Sequence, residues 1–288
     1  MNESDFIAAL RQLRISPAAR GLEDDCAVLP FGNETLVLTH DMMAEGTHYP
    51  PGADMADVAW KLVAVNLSDL AAKGAEPVGL LLGHMLGPND ERFLQGLRDV
   101  LEAYGVPLLG GDTISAAPGP RALGLTAIGR ATHVPVPDRR GAKPGDTVWV
   151  TGAPGRAMLG FEGDANHAES YNRPRPLLDE GRALAPHVSA MMDISDGLLL
   201  DAWRLAHASG VVIRLKRENI PVADPARLDE CVRWGDDYEL LFTLPPGCEC
   251  PIEATRIGCV EQQDGAALWL GDESFETTEG LGYQHRSP

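Results

Sequence analysis

The chain has 288 residues, 44% of them hydrophobic, and carries 42 acidic against 24 basic side chains, a formal net charge of −18. That field repels a phosphate backbone and an anionic membrane surface, which argues against nucleic acid and lipid as partners. It leaves open a small anionic substrate reached through metal cations. At ~150 residues per domain the length fits one large or two modest globular domains, and no run approaches the ~20 apolar residues of a membrane span.

The chain opens with Phe6, Ile7, Leu10 and Leu13 at helical spacing, which predicts a short amphipathic helix. Its early acids and lack of a continuous apolar stretch argue against a secretory signal. TLVLTHD (35–41) reads as a strand ending in an acid. Residues 54–73 read as a long helix stopped by Gly74. PVGLLLGHML (77–86) reads as a buried strand. Asn89 and Asp90 can cap a helix carrying Phe93, Leu97, Val100 and Tyr104, and VPLLGGDT and RALGLTAIGRA (121–131) follow as strands. The Pro-rich break THVPVPDRRGAKPGD places a boundary near 133–142.

Beyond the break come a strand at 147–152, a loop-rich segment to about 175, a helix at 176–185 and the stretch MDISDGLLLDAW. VVIRL (211–215), YELLFTL (238–244), ATRIGCV (254–260) and AALWLG (266–271) read as strands. Strands and helices alternate in both halves, so the expectation is two α/β domains, 1–135 and 136–288. The five cysteines, Cys26, Cys231, Cys248, Cys250 and Cys259, are odd in number and match no paired CxxC zinc pattern. They read as reduced thiols of a cytoplasmic protein. Trp149 and Trp203 read as core.

Acids recur at element ends: Asp24 and Asp25 in GLEDDCAV, Asp41 in LTHD, Asp69 in NLSDL three residues after Asn66, Asp112 in LLGGDT, Asp193 and Asp196 in MDISDGL, and Asp236 and Asp237 in WGDDYEL. Each alone has an ordinary reading. A strand-end Asp is a turn residue, and Asp193, Ser195 and Asp196 suit the start of a helix, where side-chain oxygens cap unpaired N–H groups. As a set they stand against Gly, Ser, Thr or Asn beside apolar strands, where α/β folds form ligand crevices. Two carboxylates ~4 Å apart repel by roughly 4 kcal/mol at an effective dielectric near 20, so a converging cluster needs cations. Mg²⁺, a hard ion that bridges carboxylates and phosphates, is the natural one.

There is no GxxxxGK[ST] loop, no GxGxxG after a strand and no acyl-transfer triad order. Acids with several Mg²⁺ ions fit phosphoryl transfer, and an acceptor that is itself a phosphate needs no general base. Lys61 reads as a solvated helix residue or as a phosphate-binding lysine. Arg173 and Arg175 in YNRPRP read equally as a phosphate clamp or as surface charges held extended by the prolines.

The segments EDDCAV, THDMMAEGTHY, KLVAVNLSDLAAKGAEP, LLGGDT, RRGAKPGD, YNRPRP, MDISDGL and WGDDYELLFT, in that order from about residue 21 to 285, resemble the thiamine-monophosphate kinase family. Its wider ATP-binding superfamily includes aminoimidazole ribonucleotide synthetase. The resemblance implies a two-domain aminoimidazole ribonucleotide synthetase-like α/β fold, cytoplasmic and homodimeric, with an N-terminal domain that carries the Mg-ATP site and forms a β-barrel at the dimer interface. It implies direct in-line transfer of the ATP γ-phosphate to thiamine monophosphate, giving thiamine diphosphate. By resemblance Asp25, Thr39, His40, Asp41, Asp69, Asp112, Asp193 and Asp196 fall on metal positions. Gly111, Asp112, Arg139 and Ser195 fall on ATP positions, and His48, Asp236 and Tyr283 on positions contacting thiamine monophosphate. No residue is implied as a proton-transfer catalyst.

The chain departs from the pattern at His40, where Thr is usual, at Lys73, where Met is usual, at WGDDYEL in place of GGEDYEL, in a short 161–170 segment, and at its GYQHRSP end, which lacks the usual terminal Phe. The same fold acting on another phosphorylated acceptor, or as a non-catalytic nucleotide-binding paralogue, remains an alternative.

Overall fold

The computed structural model describes residues 3–115, 117 and 119–285. In chain order the first half runs α1 (Glu3–Leu10), β1 (Ala27–Phe31), β2 (Glu34–Ala44), α2 (Met55–Ala72), β3 (Ala75–Met85), α3 (Asp90–Tyr104), β4 (Leu108–Ile114) and β5 (Ala122–Ala131). Its strands form one sheet in the order β1-β2-β5-β3-β4, antiparallel except for the β3–β4 pair. One face is core: Val37, Leu80, Leu123, Leu125 and Ala127 meet Val58 and Leu62 of α2 and Phe93, Leu97 and Val100 of α3. Side chains alternate across a strand, so Met42 and Leu81 point to the other face and are exposed, as are Leu109, Ile114 and Val78, the last at an irregularity of β3 between Pro77 and Gly79. The sheet is open, with β1 and β4 as its edges. No closed barrel forms among the described residues.

The second half runs β6 (Thr147–Val150), α4 (Arg156–Phe161), α5 (Ala168–Asn172), α6 (Leu178–Leu184), β7 (Ala190–Asp193), α7 (Leu198–Ser209), β8 (Val211–Leu215), α8 (Leu228–Cys231), β9 (Leu240–Leu244), β10 (Thr255–Gln262), β11 (Leu268–Leu270) and β12 (Glu273–Phe275). Its strands form a seven-stranded sheet in the order β12-β11-β8-β10-β6-β9-β7. This sheet is covered on both faces. Met192 and Leu241 turn toward α7. Their neighbours Met191 and Phe242 turn toward Ala71 and Ala72 of α2 and Leu184 of α6.

Helix α2 therefore lies between the two sheets and is buried nearly all round, the condition of a core helix rather than a surface one. Leu62, Leu67 and Leu70 are fully buried, each stabilising by about 1.5–3 kcal/mol. Two glycines let neighbouring helices reach it. A Cβ on Gly96 would stand 2.1 Å from the Ala56 carbonyl oxygen, and one on Gly181 would stand 1.9 Å from that of Ala71.

Most elements fall where the sequence places them. Strands β1 and β12 and helices α4, α5 and α8 lie outside the expected elements. They are six residues or fewer, too short for periodicity to show. The start of α7 differs from the capping reading. Its N-cap is Gly197 and makes no side-chain cap bond. The Ser195 and Asp196 N–H groups instead donate to Asp201, one turn into the helix, at 3.1 and 3.0 Å. Asp193 is thereby left for another role.

Candidate active site

Asp25, Asp69 and Asp193 converge where the two halves meet, with one carboxylate oxygen of each within 4.8 Å of the others. Asp25 precedes β1, Asp69 lies on α2 and Asp193 ends β7. Short hydroxyls steady them. Thr39 of β2 donates to Asp69, and Ser68 donates to Asp193 at 2.7 Å. Asn66, on the α2 face that Asp69 shares, accepts the Asp41 N–H at 3.1 Å.

The charges are unevenly compensated. Burial, with the neighbouring Asp41, Asp193 and Asp25, pushes the Asp69 carboxyl well above the carboxylate range. Burial and Asp25 do the same to Asp193. Burial with Asp25 and Asp196 raises Asp41 to about 6. Asp25 goes the other way. Burial alone would raise it, but Arg139 and Lys73 hold it below its usual value. Lys73 is fully buried at the end of α2. Its ammonium lies 2.6 Å from Asp24 and 2.7 Å from Asp25, and donates to the Met191 carbonyl oxygen at 3.2 Å. Arg20 pairs with Asp24, and Arg139 donates to Asp25.

The remaining sequence-predicted residues are dispersed around this centre. Asp196 pairs with Arg204. Gly111 and Asp112 sit on the exposed edge strand β4, outside the trio. A Cβ at Gly111 would stand 1.9 Å from the Leu82 carbonyl oxygen, so only glycine fits. The His40 ring points to the outer sheet face, 2.9 Å from the Thr126 hydroxyl, because β2 alternates and Thr39 takes the inward position. Only the His40 backbone remains near Asp41.

A second cluster lies toward the other end of α2. The Lys61 ammonium is 2.8 Å from Asp236, 3.5 Å from the His48 carbonyl oxygen and 3.8 Å from the centre of the Tyr171 ring. His48 stands 5.4 Å from His285, and His285 stands 5.0 Å from Tyr283, ring to ring. The Tyr283 N–H donates to the Asp196 carbonyl oxygen at 2.9 Å, which ties the C-terminal segment to the MDISDGL loop. The last three residues of the GYQHRSP end lie outside the described residues.

The chain matches the AIR synthase related protein N-terminal domain over residues 23–131 and its C-terminal domain over 143–269. It is 38% identical over 250 residues to the thiamine-monophosphate kinase of Salmonella typhimurium, covering 78% of this chain and 76% of that one. The chain belongs to the thiamine-monophosphate kinase family. The Caulobacter vibrioides kinase is 36% identical over 320 residues, covering 98% and 90%. A solved structure of AaThiL complexed with AMPPCP and TMP superposes with a TM-score of 0.88 at 26% identity, covering 99% of this chain and 97% of that one. The fold is thus a mixed α/β, two-domain AIR synthase-like one, and the activity is that of an ATP-dependent kinase for thiamine monophosphate. Among the described residues no helix is long and apolar enough to cross a membrane.

Within this kinase Lys61 is buried, so its solvated reading does not hold. Arg173 pairs with Asp57 and lies over Trp60, and Arg175, largely exposed, pairs with Glu180. The sequence pattern does not single out Ser68, Tyr171 or Tyr238. A signal for Ser68 is present all the same, since it is the hydroxyl beside Asp69 in NLSDL. Tyr171 and Tyr238 act through tertiary contacts that no spacing reveals.

Proposed function

We propose that the protein transfers the ATP γ-phosphate directly and in line to thiamine monophosphate, using magnesium held by Asp25, Asp41, Asp69, Asp112, Asp193 and Asp196, with the Thr39 hydroxyl and the His40 carbonyl as further ligands. The convergence of Asp25, Asp69 and Asp193 carries this reading. The residues suit the ion, for the donors are hard oxygens. Asp25 Oδ2 is buried without an aligned hydrogen-bond donor, although Lys73 lies 2.7 Å away. Bound magnesium would supply neutralisation of the charge that builds on the phosphoryl oxygens.

The chain's own residues do the rest. Gly111, Asp112, Arg139 and Ser195 receive the nucleotide. His48, Asp236 and Tyr283 receive the acceptor. The acceptor phosphate oxygen is already anionic at neutral pH, so no side chain removes a proton from it. The test is thiamine diphosphate formation from thiamine monophosphate, ATP and Mg²⁺. Activity that disappears with chelator supports the reading, and activity unchanged by chelator overturns it.

We also assign residues 1–135 and 136–288 as two domains of a cytoplasmic homodimer. Its interface is the exposed apolar face of the first sheet, where Met42, Val78, Leu81, Leu109 and Ile114 gather. A second sheet packed there would close a barrel and cover a patch that monomers rarely leave bare. Sedimentation velocity checks it. The natural chain runs as a dimer, and L109E shifts it toward monomer. A natural chain that stays monomeric at micromolar concentration refutes it.

A further inference from the structure

We propose that Lys61 is a positioning residue for the phosphate acceptor: its ammonium fixes the Asp236 carboxylate, and through it the cationic ring of thiamine monophosphate. This rests on the assignment of Asp236 to the acceptor.

A buried ammonium is a poor choice for stability alone. Desolvating it is unfavourable by several kcal/mol unless its partners are well placed, and an apolar residue of similar volume is often as good or better for folding. Lys61 nonetheless stands on a helix buried on nearly every face, with its side chain 4% exposed. Its surroundings are specific. Asp236 Oδ2 accepts from it at 2.8 Å, while Asp236 Oδ1 accepts from the Tyr238 hydroxyl at 2.9 Å. Both carboxylate oxygens are therefore claimed by the protein, and the plane of the group is set.

The backbone is held to the same end. Asp236 and Tyr238 both have positive φ, 65° and 51°, a conformation unfavourable by roughly 1–2 kcal/mol for each non-glycine residue. It is maintained by the Asp236 and Tyr238 N–H groups donating at 2.8 Å to the Ser195 and Ile194 carbonyl oxygens. Backbone strain of this kind gathers where a side chain must be aimed. His48 joins the arrangement. Its carbonyl oxygen accepts from the Tyr171 hydroxyl at 3.3 Å and faces the Lys61 ammonium at 3.5 Å. Two residues assigned to the acceptor thus meet at one cation.

Thiamine monophosphate carries a permanently cationic thiazolium, so an aimed carboxylate is a fitting counter-charge. Lys61 is eight residues from Asp69, about 12 Å along the helix, so its effect belongs to the acceptor side and not to the metal centre.

The experiment is steady-state kinetics of the full chain with K61M, K61R, D236N and the K61M/D236N double variant. The substrates are ATP, thiamine monophosphate and 3-deazathiamine monophosphate, whose ring is neutral. K61M is expected to raise KM for thiamine monophosphate about tenfold, the loss of one charge-assisted hydrogen bond, with KM for ATP unchanged. K61R restores most of it, the neutral-ring acceptor shows little penalty, and K61M adds nothing in the D236N background. K61Q replaces K61M if the latter yields no folded protein by thermal melting. An unchanged acceptor KM in K61M, or a rise matched by KM for ATP, overturns the proposal while D236N still shows its own defect. An unchanged acceptor KM in D236N instead overturns the assignment beneath it.

Discussion

Two groups of carboxylates share one small volume at the meeting of the two sheets, and they are treated oppositely. Asp24 and Asp25 are supplied with cations by the chain: Lys73, Arg139 and Arg20. The Asp69 and Asp193 carboxylates accept from the Thr39 and Ser68 hydroxyls, among the described residues no basic side chain pairs with Asp41, Asp69 or Asp193, and burial with neighbouring carboxylates raises all three. The contrast teaches that acids gathered in one place can hold different parts. Asp24 is settled by folding, and Asp25 is held ionised by the chain's own cations while still lending an oxygen to the trio; Asp41, Asp69 and Asp193 stay costly until a cation arrives.

The sharpest way to break the comparison is D193N. Asn keeps an acceptor for the Ser68 hydroxyl while removing the charge. The activity should fall by about a thousandfold or more, the several kcal/mol a metal-held charge supplies, while the melting temperature in magnesium-free buffer rises. A drop in both would place Asp193 among the structural acids. Next comes K73M on the compensated side. It leaves Asp24 and Asp25 short of one partner in a buried site, and chemical denaturation should show a loss of about 3 kcal/mol. Magnesium should recover part of that loss, since it can take up the charge that Lys73 balanced.

The pH dependence is of similar size and has a definite sign. An acid that is easier to protonate when folded stabilises the fold at low pH, and that contribution is lost as pH rises from its ordinary value to its folded value. Asp41 moves from 3.8 to about 6, and Asp69 and Asp193 shift in the same direction. Without divalent ions, stability should therefore fall by a few kcal/mol, on the order of 3, as pH rises from about 4 to about 6, the window Asp41 sets. Saturating Mg²⁺ should flatten that slope, and a flat profile in chelator would contradict the uncompensated reading. The smallest effect belongs to H40T. With the ring on the far face of β2, magnesium affinity by titration calorimetry should stay within about twofold of the natural chain.

Long elements were legible because their periodicity is long. The sequence already marked α2, β2, β3 and β5, and the acids Asp25, Asp69 and Asp193 stood out through their Gly, Ser and Asn neighbours. Other features depended on tertiary contact. Lys61 and Lys73 sit on a helix whose every face is covered, and a lysine in such a pattern reads as solvent-facing until both neighbouring layers are in place. His40 reads as a partner of Asp41 in sequence, yet strand alternation turns the two to opposite faces. The Asp236–Tyr238 turn needs left-handed residues that composition does not announce.

Helix α2 carries Lys61 at one end of its active-site face and Asn66, Ser68 and Asp69 farther along, with Lys73 at its C-terminal cap. It thus works as a ruler laid between acceptor and donor, graduated in steps of about 1.5 Å and 100° per residue. One inserted residue between positions 61 and 69 would swing one set of marks a quarter-turn or more out of register. A single insertion in this helix is therefore a length change that the site as a whole would register.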